Sequence, residues 1–149
     1  MTPTLDNGQL LLVNGISYEP EYGDIVVFHQ INPQYPHYNE PIIKRVIATQ
    51  GQHVTIDFKA GIICVDGQPL EENYMMLYPD GDYHVFAEHH VLNGNFDAVV
   101  PKGCIFVMGD NRNGSLDSRS AVIGFVDERR ILGKAIFSLT PFEPIISLP

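Results

Sequence analysis

The sequence predicts a mostly β fold of coiled antiparallel sheets. Three observations carry that prediction. Short runs rich in β-branched and aromatic residues recur along the chain. The 13 glycines and 11 prolines punctuate them. No segment holds helical periodicity over three turns. Coiling or closing antiparallel strands removes exposed edges, which favours that arrangement over an open sheet.

Taken in order, Gln9-Leu10-Leu11-Leu12-Val13 is an apolar run that ends at Asn14-Gly15, a turn signal. Asp24-Ile25-Val26-Val27-Phe28 has the residue types that fit a pleated surface. Pro41-Ile42-Ile43-Lys44-Arg45-Val46-Ile47 is another strand, with a lysine in its middle. Val54-Thr55-Ile56-Asp57-Phe58 alternates with period two and reads as a half-buried strand. Ile62-Ile63-Cys64-Val65 runs into Asp66-Gly67, a hairpin signal. Val99-Val100-Pro101 precedes Lys102-Gly103, and Cys104 to Met108 is a further strand. Asp127 to Leu132 suits a single helical turn with Asp127 as its cap. Gly133 to Leu139 reads as the last strand. Residues 72–98 carry turn signals and aromatics but weaker alternation. They read as an inserted hairpin or small β subdomain within a single domain spanning 1–149.

Composition narrows the function. A chain of 149 residues, 44% hydrophobic and 18% charged, can bury a core as one domain. Its formal net charge of −9 repels phosphate backbones, so nucleic acid is not an expected partner. The apolar runs are far too short to span a membrane. No signal peptide is visible at Met1, yet the chain begins abruptly inside patterned sequence, as a trimmed domain would. Cys64 and Cys104 each lie in an apolar run and read as two buried thiols.

Two places could carry chemistry. Lys44 is either a solvent-facing lysine on an amphipathic strand or a partly buried one. In the second case burial lowers its pKa and offers a neutral amine as a general base. The stretch "VMGDNRNGSLDSR", 107–119, leaves a strand and then concentrates Asp110, Arg112, Asp117 and Arg119 among serine, asparagine and glycine. Such a loop can fold on itself through bidentate Arg–carboxylate pairs and hold a neighbouring group at fixed geometry. The other candidates are weaker. His84, Glu88, His89 and His90 match no zinc spacing, and no metal or cofactor is expected. The cluster Tyr74-Met75-Met76-Leu77-Tyr78 suits a core or a sticky surface. Neither a phosphate-binding glycine loop nor G-x-S-x-G is present.

These segments resemble a known family. "MTPTL" at 1–5, "YGDIVVF" at 22–28, "IIKRVI" at 42–47 and "GDNRNGSLDSR" at 109–119 are similar, in order, to four sequence boxes of the type I signal peptidases. "GFVDERRILGKAIF" at 124–137 is similar to the family's closing segment. The resemblance implies a membrane-anchored serine protease with a Ser–Lys dyad. Such an enzyme removes signal peptides from exported preproteins at the extracytoplasmic face of the cell membrane, with small residues at the first and third positions before the cut. It implies Lys44 as general base, Ser115 as the serine that orients it, and Gly109 as the residue that allows close backbone approach. Asp110, Arg112, Asp117 and Arg119 would then be ion pairs that fix the loop. Met1, Pro3, Leu5 and Ile43 match substrate-binding positions.

Two departures matter. The family's nucleophile serine immediately precedes the methionine of "MTPTL", and here Met1 is the first residue. The chain as given is therefore expected to be inactive, with neither Thr2 nor Thr4 as a substitute. A start just after the serine is favoured, because an intact Lys44 and Ser115 make little sense without a nucleophile. The competing expectation is a natural protein with another residue there, acting as a non-cleaving binding or assembly factor for surface proteins or pili. The second departure is at Ala48, Gln50 and Gln52, where the family usually has Gly, Pro and Asp.

Overall fold

Strands form where β-branched residues repeat, and turns fall where the backbone must adopt positive φ. The computed structural model describes residues 1–74 and 95–145. Eleven strands are seen there: β1 (Leu11–Asn14), β2 (Ile25–His29), β3 (Pro41–Ala48), β4 (His53–Asp57), β5 (Ile62–Val65), β6 (Gln68–Pro69), β7 (Asn95–Val99), β8 (Cys104–Met108), β9 (Val126–Asp127), β10 (Ile131–Leu139) and β11 (Phe142–Pro144). All pairings are antiparallel. One sheet runs β1-β10-β2-β3-β8-β9, with β11 also on β10, and the second runs β6-β5-β4-β7. This is the mostly β, coiled antiparallel fold that the sequence predicts.

Local chemistry explains the details. Asp66 (φ 52°) and Gly67 (φ 77°) make the tight turn between β5 and β6, where Asp and Gly tolerate left-handed backbone. Asp127 caps a 3₁₀ turn at Glu128–Arg130, its side chain accepting from the Arg129 N–H at 2.9 Å. Asn14-Gly15 ends β1, but β1 pairs with β10 rather than with the next strand.

Three apolar clusters hold the sheets. Ile47, Val54, Ile56, Ile63, Phe106 and Met108 fill the space between the two sheets. Phe96 of β7 packs its ring 5.1 Å from Phe106. Val26, Phe28, Val46, Ile105, Val107 and Ile123 form a second cluster, joined by Ile42 and Leu116. Leu5, Ile25 and Ala135 form a third, joined by Met1, Leu11 and Ile43. The two cysteines are half-buried and unpaired, not fully buried as expected, because each sits on a short strand near a sheet margin. Of the stretch 72–98, Asn95 to Ala98 pair with β4 and Glu72 is tied to the loop after β8. Residues 75–94, and with them His84, Glu88, His89 and His90, lie outside the described residues.

Candidate active site

β3 decides the chemistry by its alternation. Period two puts Ile42, Lys44 and Val46 on one face and Ile43, Arg45 and Ile47 on the other. Lys44 pairs in register with Val26 of β2, so its side chain rises from the face that Ile42 and Val46 share with the second apolar cluster. There it enters a cavity of about 390 Å³ lined also by Met1, Ile42, Gly109, Ser115, Leu116 and Ile123. The Lys44 Nζ donates to the Ile43 carbonyl at 3.0 Å. Burial pushes its pKa below the ordinary 10.5. The carboxylates of Asp117 and Asp110 oppose that shift, and Arg119 adds to it.

Gly109 follows β8 and forms one wall of this cavity. A Cβ there would fall 2.1 Å from Ser115 Oγ and 3.7 Å from Lys44 Cδ, so only glycine lets the backbone lie against both. Ser115 Oγ is buried and makes no hydrogen bond of acceptable geometry. It does lie close enough to the Asp117 carboxylate to help keep that group ionised. Lys44 and Ser115 therefore share a cavity and a glycine, without a hydrogen bond between them.

The polar loop is fixed in two ways. Asp117 and Arg119 pair within it, Arg119 Nε donating at 2.8 Å and Nη2 at 2.9 Å. Burial alone would raise the Asp117 pKa, but Arg119 and the Gly109 N–H, at 3.0 Å, hold it below the usual carboxylate value. Arg119 Nη2 also donates to the Arg112 carbonyl at 2.7 Å, closing the loop. The other two charges reach outside the loop, to partners that the sequence reading did not name. Asp110 accepts from Arg45 Nε at 2.9 Å and Nη2 at 2.7 Å, with both side chains buried, and from the Thr4 hydroxyl. Arg112 pairs with Glu72 through both terminal nitrogens, Nη1 at 2.6 Å, and its Nε donates to Gly109 O at 3.1 Å. The physical reason is burial: a lone carboxylate or guanidinium beneath β3 needs an opposite charge, whichever element supplies it.

The expected substrate-binding residues separate. Met1 lines the Lys44 cavity and a neighbouring depression of about 400 Å³, which Leu5, Ile43 and Leu11 also line. Pro3 is exposed and lines neither. Sequence reasoning did not assign Arg45, Glu72, Tyr74, Thr4 or Glu40, the last on the cavity lining. Arg45 alone left a signal, an arginine between apolar neighbours that needs a buried carboxylate. Among the described residues no group of three or more His, Cys, Asp or Glu is placed to hold a metal ion.

Comparison with known proteins places the chain among relatives of one family. Residues 1–140 match the family model for signal peptidase, peptidase S26. A probable signal peptidase I-1 of Synechocystis is 41% identical over 148 residues, covering 95% of this chain and 67% of the relative. Signal peptidase I of Leptolyngbya laminosa is 39% identical over 147 residues, covering 95% of this chain and 64% of the relative. Signal peptidase I of Bacillus caldolyticus is 36% identical over 148 residues, with 96% and 76% covered. The chain thus spans about two thirds of the length of the first of these relatives. Among solved structures, a signal peptidase I from Enterococcus faecalis superposes with a TM-score of 0.58 at 26% identity. It covers 78% of this chain and 97% of that one.

Proposed function

The chain belongs to the signal peptidase family, peptidase S26, and on that premise we propose that residues 1–149 form a catalytic domain that cuts signal peptides from exported preproteins with Lys44 as general base. Members of the family are membrane-associated serine endopeptidases. The observation that carries the reading is a buried lysine amine of lowered pKa, in one cavity with Ser115 and Met1.

The chemistry follows from that amine. The nucleophile is the hydroxyl of a serine placed immediately before Met1. Neutral Lys44 takes the hydroxyl proton as the oxygen attacks the scissile carbonyl. The lysine ammonium then gives the proton to the leaving amine as the C–N bond breaks. Lys44 next takes a proton from water as the water oxygen attacks the ester carbonyl. The ammonium returns that proton to the serine oxygen as the ester C–O bond breaks, which frees the acid product and restores neutral Lys44. Ser115 Oγ, buried beside Lys44 Cδ with its hydrogen bonds unmade, is the acceptor that orients the ammonium. The substrate lies extended, with small side chains favoured beside Met1, Leu5 and Ile43, which line the depression next to the Lys44 cavity. The surface of the membrane is the place of cleavage, at its extracytoplasmic face.

The test is cleavage of a preprotein peptide with an Ala-X-Ala site. The chain carrying a serine directly before Met1 should cut it, and Lys44→Ala should abolish the cut, a loss of about 10³-fold or more. Cleavage that survives Lys44→Ala, or a serine-bearing chain that binds the peptide without cutting it, would sink the reading.

A further inference from the structure

We infer that Glu72 is a positioning residue for the Lys44–Ser115 pair, acting through Arg112 and Gly109. The inference rests on the reading of Lys44 as general base. Glu72 lies outside every sequence box that the resemblance covers, and it precedes Arg112 by 40 residues.

The geometry is a relay of three contacts. Glu72 takes both terminal nitrogens of the Arg112 guanidinium. That leaves Nε, the third donor group, directed at Gly109 O at 3.1 Å. The Gly109 N–H is held from the other side by Asp117 Oδ2 at 3.0 Å. Gly109 is therefore gripped at its carbonyl and at its amide, and its Cα faces Ser115 Oγ and Lys44 Cδ. A fixed guanidinium sets that wall, and a fixed carboxylate sets the guanidinium. Glu72 is itself held, since Tyr74 O–H donates to it at 2.9 Å. The Tyr74 ring lies 4.1 Å from the Arg45 guanidinium carbon and 5.9 Å from that of Arg112. The arginine that pairs with Asp110 and the arginine that grips Gly109 thus both lie against one aromatic ring.

Removing the Glu72 charge leaves a fully buried guanidinium without its counter-charge. Arg112 must then draw in water or turn to another acceptor, and it releases Gly109 O. A wall that loosens beside Lys44 rehydrates the amine. Rehydration favours the ammonium, so the Lys44 midpoint rises towards its ordinary value. The charged groups that face Lys44 are Asp110, Asp117, Arg119, the Glu40 carboxylate on the cavity lining and the amino group of Met1. None of these is altered by a change at Glu72.

The chain holds four lysines, Lys44, Lys59, Lys102 and Lys134, so each can be titrated by NMR of ¹³Cε-labelled protein without any nucleophile. In Glu72→Gln the Lys44 midpoint should rise by about half a unit or more while Lys59 and Lys102 stay put. Glu72→Asp, which keeps the charge, should return most of that shift. Arg112→Lys keeps the ion pair but loses the grip on Gly109 O, and it should show the same rise. That variant decides the matter if Glu72→Gln does not fold. In the serine-bearing chain, Glu72→Gln should lower kcat about threefold or more at neutral pH, in step with the rise of the Lys44 midpoint, with KM nearly unchanged, and the deficit should narrow at alkaline pH. A folded variant with an unmoved Lys44 midpoint overturns the inference, as does a loss of activity of equal size at every pH. Failure of the parent serine-bearing chain to cleave would count against the proposed function instead, because the titration does not depend on cleavage.

Discussion

Lys44 is costly to the fold. Burial disfavours its ammonium, so the folded state binds the proton less well than the unfolded chain does. The sign follows directly. Between the lowered folded pKa and the ordinary 10.5, the unfolded state holds more protons, so this group's contribution to stability rises with pH. Below the folded pKa the penalty is fully present. Lys44→Met, which keeps the stem and removes the charge, should therefore stabilise the chain at pH 7 by roughly 1 kcal/mol, a rise of about 3 °C in Tm. The gain should fade as pH approaches 10.5. Paired thermal unfolding of both chains across pH checks this, and a variant no more stable than the parent at pH 7 would show that Lys44 is not held against a desolvation penalty. Asp117 sits on the opposite side of the ledger, because Arg119 holds its carboxylate ionised below the usual range. That stability is present above about pH 4 and is lost as pH falls through the lowered value.

At the scale of elements, the tightest constraint is the crossing of β1 and β10. A Cβ on Gly133, whose φ is +151°, would lie 2.3 Å from Asn14 O, and one on Gly15 would lie 2.3 Å from Leu132 O. Both obstacles are backbone, which cannot swing aside. Gly133→Ala should thus destabilise the chain by roughly 2–4 kcal/mol and loosen β1 before the second sheet. Amide hydrogen exchange would report the change first at Val13 and Ala135, which pair in register. Such crossings also mark where the sequence was readable and where it was not. Strands β2, β3, β5, β8 and β10 were legible, since each carries an apolar run with a buried side. β6, β9 and β11 were not, because strands of two or three residues hold no period, and β11 is exposed throughout. Asn95 to Ala98 of β7 were placed in the insert, and their pairing with β4 depends on a partner some 40 residues away. The site divides in the same way. Asp117 and Arg119, two residues apart, were legible as a local pair. The Arg45–Asp110 and Arg112–Glu72 pairs join residues 65 and 40 positions apart, and nothing in a linear pattern says which carboxylate a buried arginine will meet.

For the molecule as a whole, the proposed cleavage at a membrane surface raises the question of how an acidic chain would meet lipid. Among the described residues no helix is long and apolar enough to cross a membrane. The β1–β10–β11 margin nevertheless leaves large side chains in solvent: Leu10, Leu12, Ile136, Leu139 and Phe142, the last 79% exposed. The rings of Phe137 and Phe142 lie 4.5 Å apart on that margin. Exposed apolar side chains grouped on one margin make it a candidate contact surface. With a net charge of −9, attraction to anionic headgroups cannot be what holds the chain there. Insertion of apolar side chains can, and it is insensitive to salt. The chain should therefore float with phosphatidylcholine vesicles equally well at low and high salt, and less well as anionic lipid is added. The double variant Leu12→Asp, Phe142→Asp should lose flotation while its unfolding stays cooperative, because both side chains are already in water. Binding that strengthens with anionic lipid, or that survives both substitutions, would move the contact to another face.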